Sequence, residues 1–205
     1  MRRYARRMTV HPFMVWNLYL AAIPAVVAVL LFRRPNRPGV AWFAGFGVWL
    51  LFLPNAPYVL TDVVHLREDL LRSQSPTHTY AVLATYAAFF AAGLVSYVVS
   101  LQLFRRFLRE AISRRLVLPA LLIVHALSIV AVYIGRFMRV NSWDVVFAPR
   151  AVLDSLLRVP HASSLAVFVI MFLVVGFGTF ATYAVGEQLW ARMKRLTNEV
   201  NRAVR

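Results

Sequence analysis

The chain contains no cysteine. That absence excludes disulfides, thiolate nucleophiles, cysteine-ligated zinc and iron–sulfur clusters. Lysine is almost missing as well: of 23 basic residues, only Lys194 is not arginine. Acidic residues number 8 in 205, which leaves a formal charge of +15. The patterns HExxH, GxSxG and GxxxxGK[ST] do not occur. Zinc-protease, serine-hydrolase and phosphate-loop chemistry therefore has no footing in the sequence. One GxGxxA match, Gly176 to Ala181, lies inside an apolar run with no strand before it and is set aside. No internal repeat or low-complexity segment is visible.

What the chain has instead is apolar surface. Hydrophobic residues make up 60% and the mean hydropathy is +0.65, against about 45–50% apolar residues in an ordinary soluble domain. A small soluble domain buries only roughly two-thirds of its surface and could not hide this excess. Five long apolar runs stand out, at residues 13–32, 40–60, 80–104, 116–134 and 164–190. About 20 residues at 1.5 Å each match a hydrocarbon layer of ~30 Å. The predicted architecture is an all-α, polytopic transmembrane helix bundle of about five spans, forming a single integral membrane domain over residues 1–205. The run at 13–32 is longer than a signal-peptide core and ends in Arg33-Arg34, so it reads as a retained span.

The excess charge would suit nucleic acid, but its placement does not. Arginines cluster where the apolar runs stop: Arg2/Arg3/Arg6/Arg7, Arg33/Arg34/Arg37 and Arg105/Arg106/Arg109/Arg114/Arg115. That is the pattern of loops held at an anionic bilayer surface. The expected partner is the lipid bilayer, with no nucleic acid.

The second run is interrupted. Its clean part, 40–53, is followed by Pro54-Asn55-Ala56-Pro57. Two prolines three apart remove two backbone donors and push the residues before them off helical geometry. A break is expected at Leu53, with a restart near Tyr58 or Thr61. Small residues recur every fourth position at Ala84, Ala88, Ala92, Ser96 and Ser100, and again at Gly178, Thr182 and Gly186. Such spacing lets helices approach closely in lipid. Residues 149–159 read as a short amphipathic helix lying in the interface, with Pro149 at its first position.

Counting Lys and Arg per loop leaves two topologies. If every run crosses, the face holding 33–39, 105–115 and 191–205 carries 13 cations against 10. If the second run dips in and returns, the N-terminus joins the inner face and the counts become 14 against 9. In both, the loops after the second and fourth runs lie outside and the C-terminus is cytoplasmic.

Five of the eight acidic residues fall in those two outer loops: Asp62, Glu68, Asp69, Asp144 and Asp154. If the chain is helical from Thr61, then Asp62, His65 and Asp69 share one face at i, i+3 and i+7. Such a trio can hold a divalent metal or run acid–base chemistry. Equally, Asp62 can serve as a helix cap while His65 bonds a carbonyl. After the fourth run, Arg136 and Arg139 sit three apart, suited to an anionic head group or phosphate, or to pairing with Asp62 or Asp69. The bland alternative is a pair of snorkelling arginines with Trp143 as an interfacial anchor. His125 is an ionisable residue in mid-span, a functional candidate or a neutral interhelical hydrogen-bonder. Asn17 reads as interhelical glue.

Leu53-Pro54-Asn55-Ala56-Pro57-Tyr58, followed by Thr61-Asp62 and His65-Leu66, resembles the signature of a bacterial multi-pass membrane family, "domain of unknown function 1361". Trp16-Asn17-Leu18 through Pro24, and Gly135-Arg136-Phe137 with Asn141-Ser142-Trp143-Asp144, fit it too. The resemblance spans roughly residues 16 to 190. It implies a bacterial plasma (inner) membrane location and marks Asn55, Tyr58, Asp62, His65, Arg136, Asn141, Trp143 and Asp144 as motif positions. It assigns no chemistry.

Three functional classes follow. The first is a membrane protein with a polar outer-face pocket for a small polar or anionic ligand or a lipid head group, lined by Asn55, Tyr58, Asp62, His65, Arg136, Arg139, Asn141, Trp143 and Asp144. The second is an intramembrane enzyme, with a divalent metal on Asp62, His65 and Asp69. The third is a structural or accessory subunit serving another membrane protein.

Overall fold

The computed structural model describes residues 10–33, 39–111, 113–138, 144–157, 169–170, 172–178, 180, 188, 192–193, 195 and 197. The described chain is all-α. Helix α1 is Pro12–Phe32, α2 Val40–Phe52, α3 Asn55–Tyr58, α4 Val63–Leu71, α5 Pro76–Ala111 and α6 Arg114–Met138. Two short helices follow, α7 Asp144–Phe147 and α8 Pro149–Leu157. Four stretches are long and apolar enough to cross a membrane: Pro12–Phe32, Val40–Leu71, Pro76–Ala111 and Arg114–Phe137. The fifth expected run, 164–190, lies mostly outside the described residues.

Helix α5 is the spine. Its 36 residues rise about 54 Å, well beyond a ~30 Å hydrocarbon layer. Its buried positions are Val82, Tyr86, Phe89, Gly93, Tyr97, Val98, Ser100, Phe104 and Leu108, a line that, Val98 aside, advances by three or four residues. That line takes in Ser100 from the small-residue stripe read from the sequence and leaves out its alanines. Ala84, Ala88 and Ala92 are exposed, because a strict four-residue period drifts off a face that turns every 3.6 residues. Ser96 does approach α1, and its hydroxyl donates to the Ala21 carbonyl, one turn before the buried Pro24.

The proline pair interrupts the second span, as its sequence demands, and the interruption is mild. Helix α2 ends at Phe52, and the chain restarts as early as Asn55. Leu53, Pro54, Tyr58 and Val59 all keep right-handed helical dihedrals. A 3-10 turn, Val59–Asp62, then leads into α4. What changes is who satisfies the carbonyls. Pro57 has no N–H for Leu53, so Ala56 N–H donates there instead, at 3.2 Å. The Phe52 carbonyl, which loses Ala56, accepts from Asn55 Nδ2 at 3.0 Å. The Tyr58 carbonyl accepts from Thr61 Oγ1 at 2.8 Å. Side chains from the motif itself replace the missing donors, which lets an irregular segment persist inside the bundle.

This segment packs directly on α5. A Cβ built at Gly93 would meet the Val59 side chain and stand 2.6 Å from the Ala56 carbonyl oxygen. Ala56, Pro57 and Val59 are buried there. Away from the break, an aromatic cluster of Phe32, Trp42, Phe46, Trp49, Phe104 and Phe107 ties together α1, α2 and α5.

These contacts give the direction of the second run within the bundle. Phe32 meets Trp42 at one end of the bundle, while His11 meets Asp69 at the other. Residues 40–71 thus run from one end to the other and do not turn back. The start of α1, α4 and the C-terminal end of α6 share one end; the arginine-rich 105–115 region shares the other with Phe32. Helix α8 starts with Pro149 at its first position, as expected, and leaves Leu153 and Leu157 exposed for an interface. Its expected last residues, 158–159, lie outside the described set.

Candidate functional site

Helices α1 and α4 run antiparallel at the shared end, so their residues pair in reverse order. Asn17 Nδ2 donates to Asp62 Oδ2 at 2.8 Å. The Phe13 ring lies 4.8 Å from the His65 ring. His11 Nε2 is 2.8 Å from Asp69 Oδ2. The i, i+3, i+7 face predicted for α4 therefore exists, and it is turned against α1.

Each acidic group on that face has its own partners. Tyr86 OH, from α5, donates to Asp69 Oδ2 at 2.9 Å, beside His11. An ionised carboxylate only accepts, so His11 Nε2 carries the proton in this arrangement. The His11 ring also stacks on Phe13 at 5.3 Å, which carries the contact on to His65.

Asp62 is the most deeply buried carboxylate among the described residues. Its side chain is 4% exposed, and Arg136 Nη1 stands 4.0 Å from Oδ1. A buried carboxylate costs several kcal/mol unless it is paired and hydrogen-bonded. Here the Asn17 amide engages one oxygen and the Arg136 charge faces the other. At 4.0 Å the guanidinium is a counter-charge outside hydrogen-bond range. Asp62 thus neutralises Arg136 without occupying its five N–H donors. Arg136 is itself 28% exposed.

The other expected site residues separate into groups. Asn55 serves the Phe52 carbonyl. Tyr58 is half-buried, and its own carbonyl accepts from Thr61. Asp144 opens α7 and is half-buried. Arg139, Asn141 and Trp143 lie outside the described residues. Among the described residues no group of three or more His, Cys, Asp or Glu side chains is placed to hold a metal ion. Asp62, His65 and Asp69 are thus not gathered around one point: their partners are Asn17 and Arg136, Phe13, and His11 with Tyr86, respectively.

Sequence reasoning missed His11, Phe13 and Tyr86 as members of this end. Asn17 was visible as an amide inside an apolar run, and its reading as interhelical glue is what the geometry shows. Tyr86 gives no signal in the sequence, because a tyrosine on a buried helix face looks like core.

A second polar point sits at mid-bundle. Tyr97 OH is 2.9 Å from His125 Nδ1, and His125 Nε2 is 3.3 Å from the Phe172 carbonyl. The carbonyl can only accept, so Nε2 holds the proton and Nδ1 accepts from Tyr97. That is a neutral imidazole bridging α5, α6 and the segment at Phe172. Tyr97→Phe is expected to lower stability in detergent by about 1–3 kcal/mol by orphaning Nδ1. Adding His125→Leu should cost less than the sum of the two single changes, in a thermal-unfolding double-mutant cycle.

No curated protein and no solved structure matches the chain. A family model does match, over residues 16–177, which include Asn17, Asp62, His65, Asp69, Tyr86, His125 and Arg136. The chain is thereby a member of the family described as "Protein of unknown function (DUF1361)".

Proposed function

We propose that this membrane protein binds a small anionic group, the phosphate or carboxylate of a polar ligand or lipid head group, at the α4/α6 end. Arg136 is the anion-contacting residue and Asp62 its resident counter-charge. The observation behind this reading is the loose pair itself: a carboxylate 4% exposed facing a guanidinium 28% exposed at 4.0 Å. An ionic pair meant only for stability gains little from such separation, because desolvation offsets most of the attraction. Ionisable groups inside a span mark a functional site by default. The arginine count supports a reading in which this end lies outside a bacterial plasma membrane and the C-terminus in the cytoplasm.

The test is titration of the detergent-purified protein with inorganic phosphate and glycerol phosphate, read by calorimetry. Arg136→Gln alone would strand Asp62 as a buried charge, so the informative variant is Asp62→Asn/Arg136→Gln. Wild-type protein is expected to bind and the double variant to show no heat at the same concentrations. Equal binding by both would remove Arg136 from the reading.

A structural clamp is the second reading, favoured by the hydrogen bonds that Asn17, His11 and Tyr86 make with Asp62 and Asp69. It predicts no anion binding in either protein.

A further inference from the structure

An open cavity among the described residues lies in the opposite half of the bundle. It has a volume of about 910 Å³ and runs between α5, α6 and the residues Gly176 and Phe180. Its composition changes along its length. One end carries Arg105, Arg109 and Arg114, with Gln102 and Glu110. The walls are then apolar, through Leu101, Leu118, Leu121 and Leu122, up to His125 and Gly176 at the depth of the bundle.

Its dimensions are those of one leaflet. From Arg114 to His125 along α6, and from Arg109 to Val98 along α5, the walls rise about 16 Å. Half of a ~30 Å hydrocarbon layer is about 15 Å. The volume is at the upper end of the ~300–1,000 Å³ typical of sites that enclose a small organic molecule. The mouth holds three arginines against one glutamate, and the Glu110 carboxylate is 3.7 Å from Arg106, which stands outside the cavity. His125 closes the inner end with both ring nitrogens already engaged, so the deep part offers contact surface more than hydrogen bonds.

We propose that this cavity is a binding site for an anionic phospholipid of the leaflet on the arginine-rich side. Its phosphate is held by Arg105, Arg109 and Arg114, and an acyl chain lies along Leu118, Leu121 and Leu122 toward His125. Charge complementarity selects the head group, because guanidinium forks pair with phosphate oxygens. The apolar wall selects an amphiphile over a free anion. This site is separate from the Arg136 end and does not depend on the reading given for that end.

The experiment reconstitutes the full chain in vesicles of equal phosphatidylglycerol and phosphatidylcholine. The protein is then extracted in mild detergent, and retained lipid is counted by native mass spectrometry. Close to one phosphatidylglycerol per chain, with little phosphatidylcholine, is the expected result. The triple variant Arg105→Gln/Arg109→Gln/Arg114→Gln should retain at least fivefold less. Leu118→Trp, which fills the groove and keeps the charges, should also lose the lipid. Arg106→Gln, at a charge beside the cavity, should retain it. Equal retention of both lipids, or unchanged retention in the triple variant and in Leu118→Trp, would overturn the proposal. So would a loss in Arg106→Gln as large as in the triple variant, since that describes a diffuse basic annulus.

Discussion

Gly93→Ala is expected to destabilise the protein although alanine is the better helix former. Substituting alanine for glycine inside a helix ordinarily gains about 1 kcal/mol. At Gly93 the new methyl would collide with Val59 and stand 2.6 Å from the Ala56 carbonyl oxygen. The Ala56 carbonyl belongs to the backbone of the interrupted segment and cannot swing aside as a side-chain tip can. Overpacking a well-filled interior costs roughly 1–3 kcal/mol, and the loss should exceed the propensity gain. Gly93→Leu should leave no folded protein in detergent. Gly47 supplies the control, since a Cβ there meets nothing within 4 Å. Gly47→Ala should hold or raise the melting temperature. A Gly93→Ala protein that melts with or above wild type would show that α5 and the 54–59 segment do not approach as described.

The second large effect is a contrast at Asp62. Asp62→Ala removes the acceptor of Asn17 Nδ2 and the counter-charge of Arg136 together. Arg136 loses its counter-charge in Asp62→Asn as well, so the contrast rests on Asn17, whose orphaned buried donor costs about 1–3 kcal/mol in the alanine variant. Asp62→Asn keeps an oxygen for Asn17 and removes a charge that was costly to bury. Arg136, being 28% exposed, can turn toward water. The asparagine variant should therefore melt within a few degrees of wild type, while the alanine variant melts far below it. Thermal unfolding in one detergent compares the three directly. Equal losses in both variants would mean that the carboxylate charge itself holds this end together.

Much of the scaffold was legible because lipid imposes a simple rule. Runs such as 13–32 and 116–134 must be helical to satisfy their own backbone, and they appear as α1 and α6. The interruption after Phe52 was legible from its prolines. Its gentleness was not, because it depends on Asn55 and Thr61 reaching particular carbonyls. Asn55, a candidate ligand-binding residue, gives its amide Nδ2 to the Phe52 carbonyl. Of the small-residue stripe, Ser96 bonds α1 and Ser100 is buried, while the four-residue period leaves Ala84, Ala88 and Ala92 beside the buried line; the glycine that makes the close approach is Gly93. Asp62 was legible as an acidic residue of the loop after the second run. Its register against Asn17, and that of Asp69 against His11 and Tyr86, was not, because it follows from how α1, α4 and α5 pack and not from any local spacing.

The central claim is that Arg136 is an anion-binding group restrained by Asp62. The most direct measurement is the affinity of purified Asp62→Asn protein for inorganic phosphate, beside wild type. A resident carboxylate at 4.0 Å competes with an incoming anion by several kcal/mol at most, once partial exposure is allowed for. Its removal should tighten phosphate binding roughly tenfold. Weaker binding, or none, in a well-folded Asp62→Asn protein would contradict the claim.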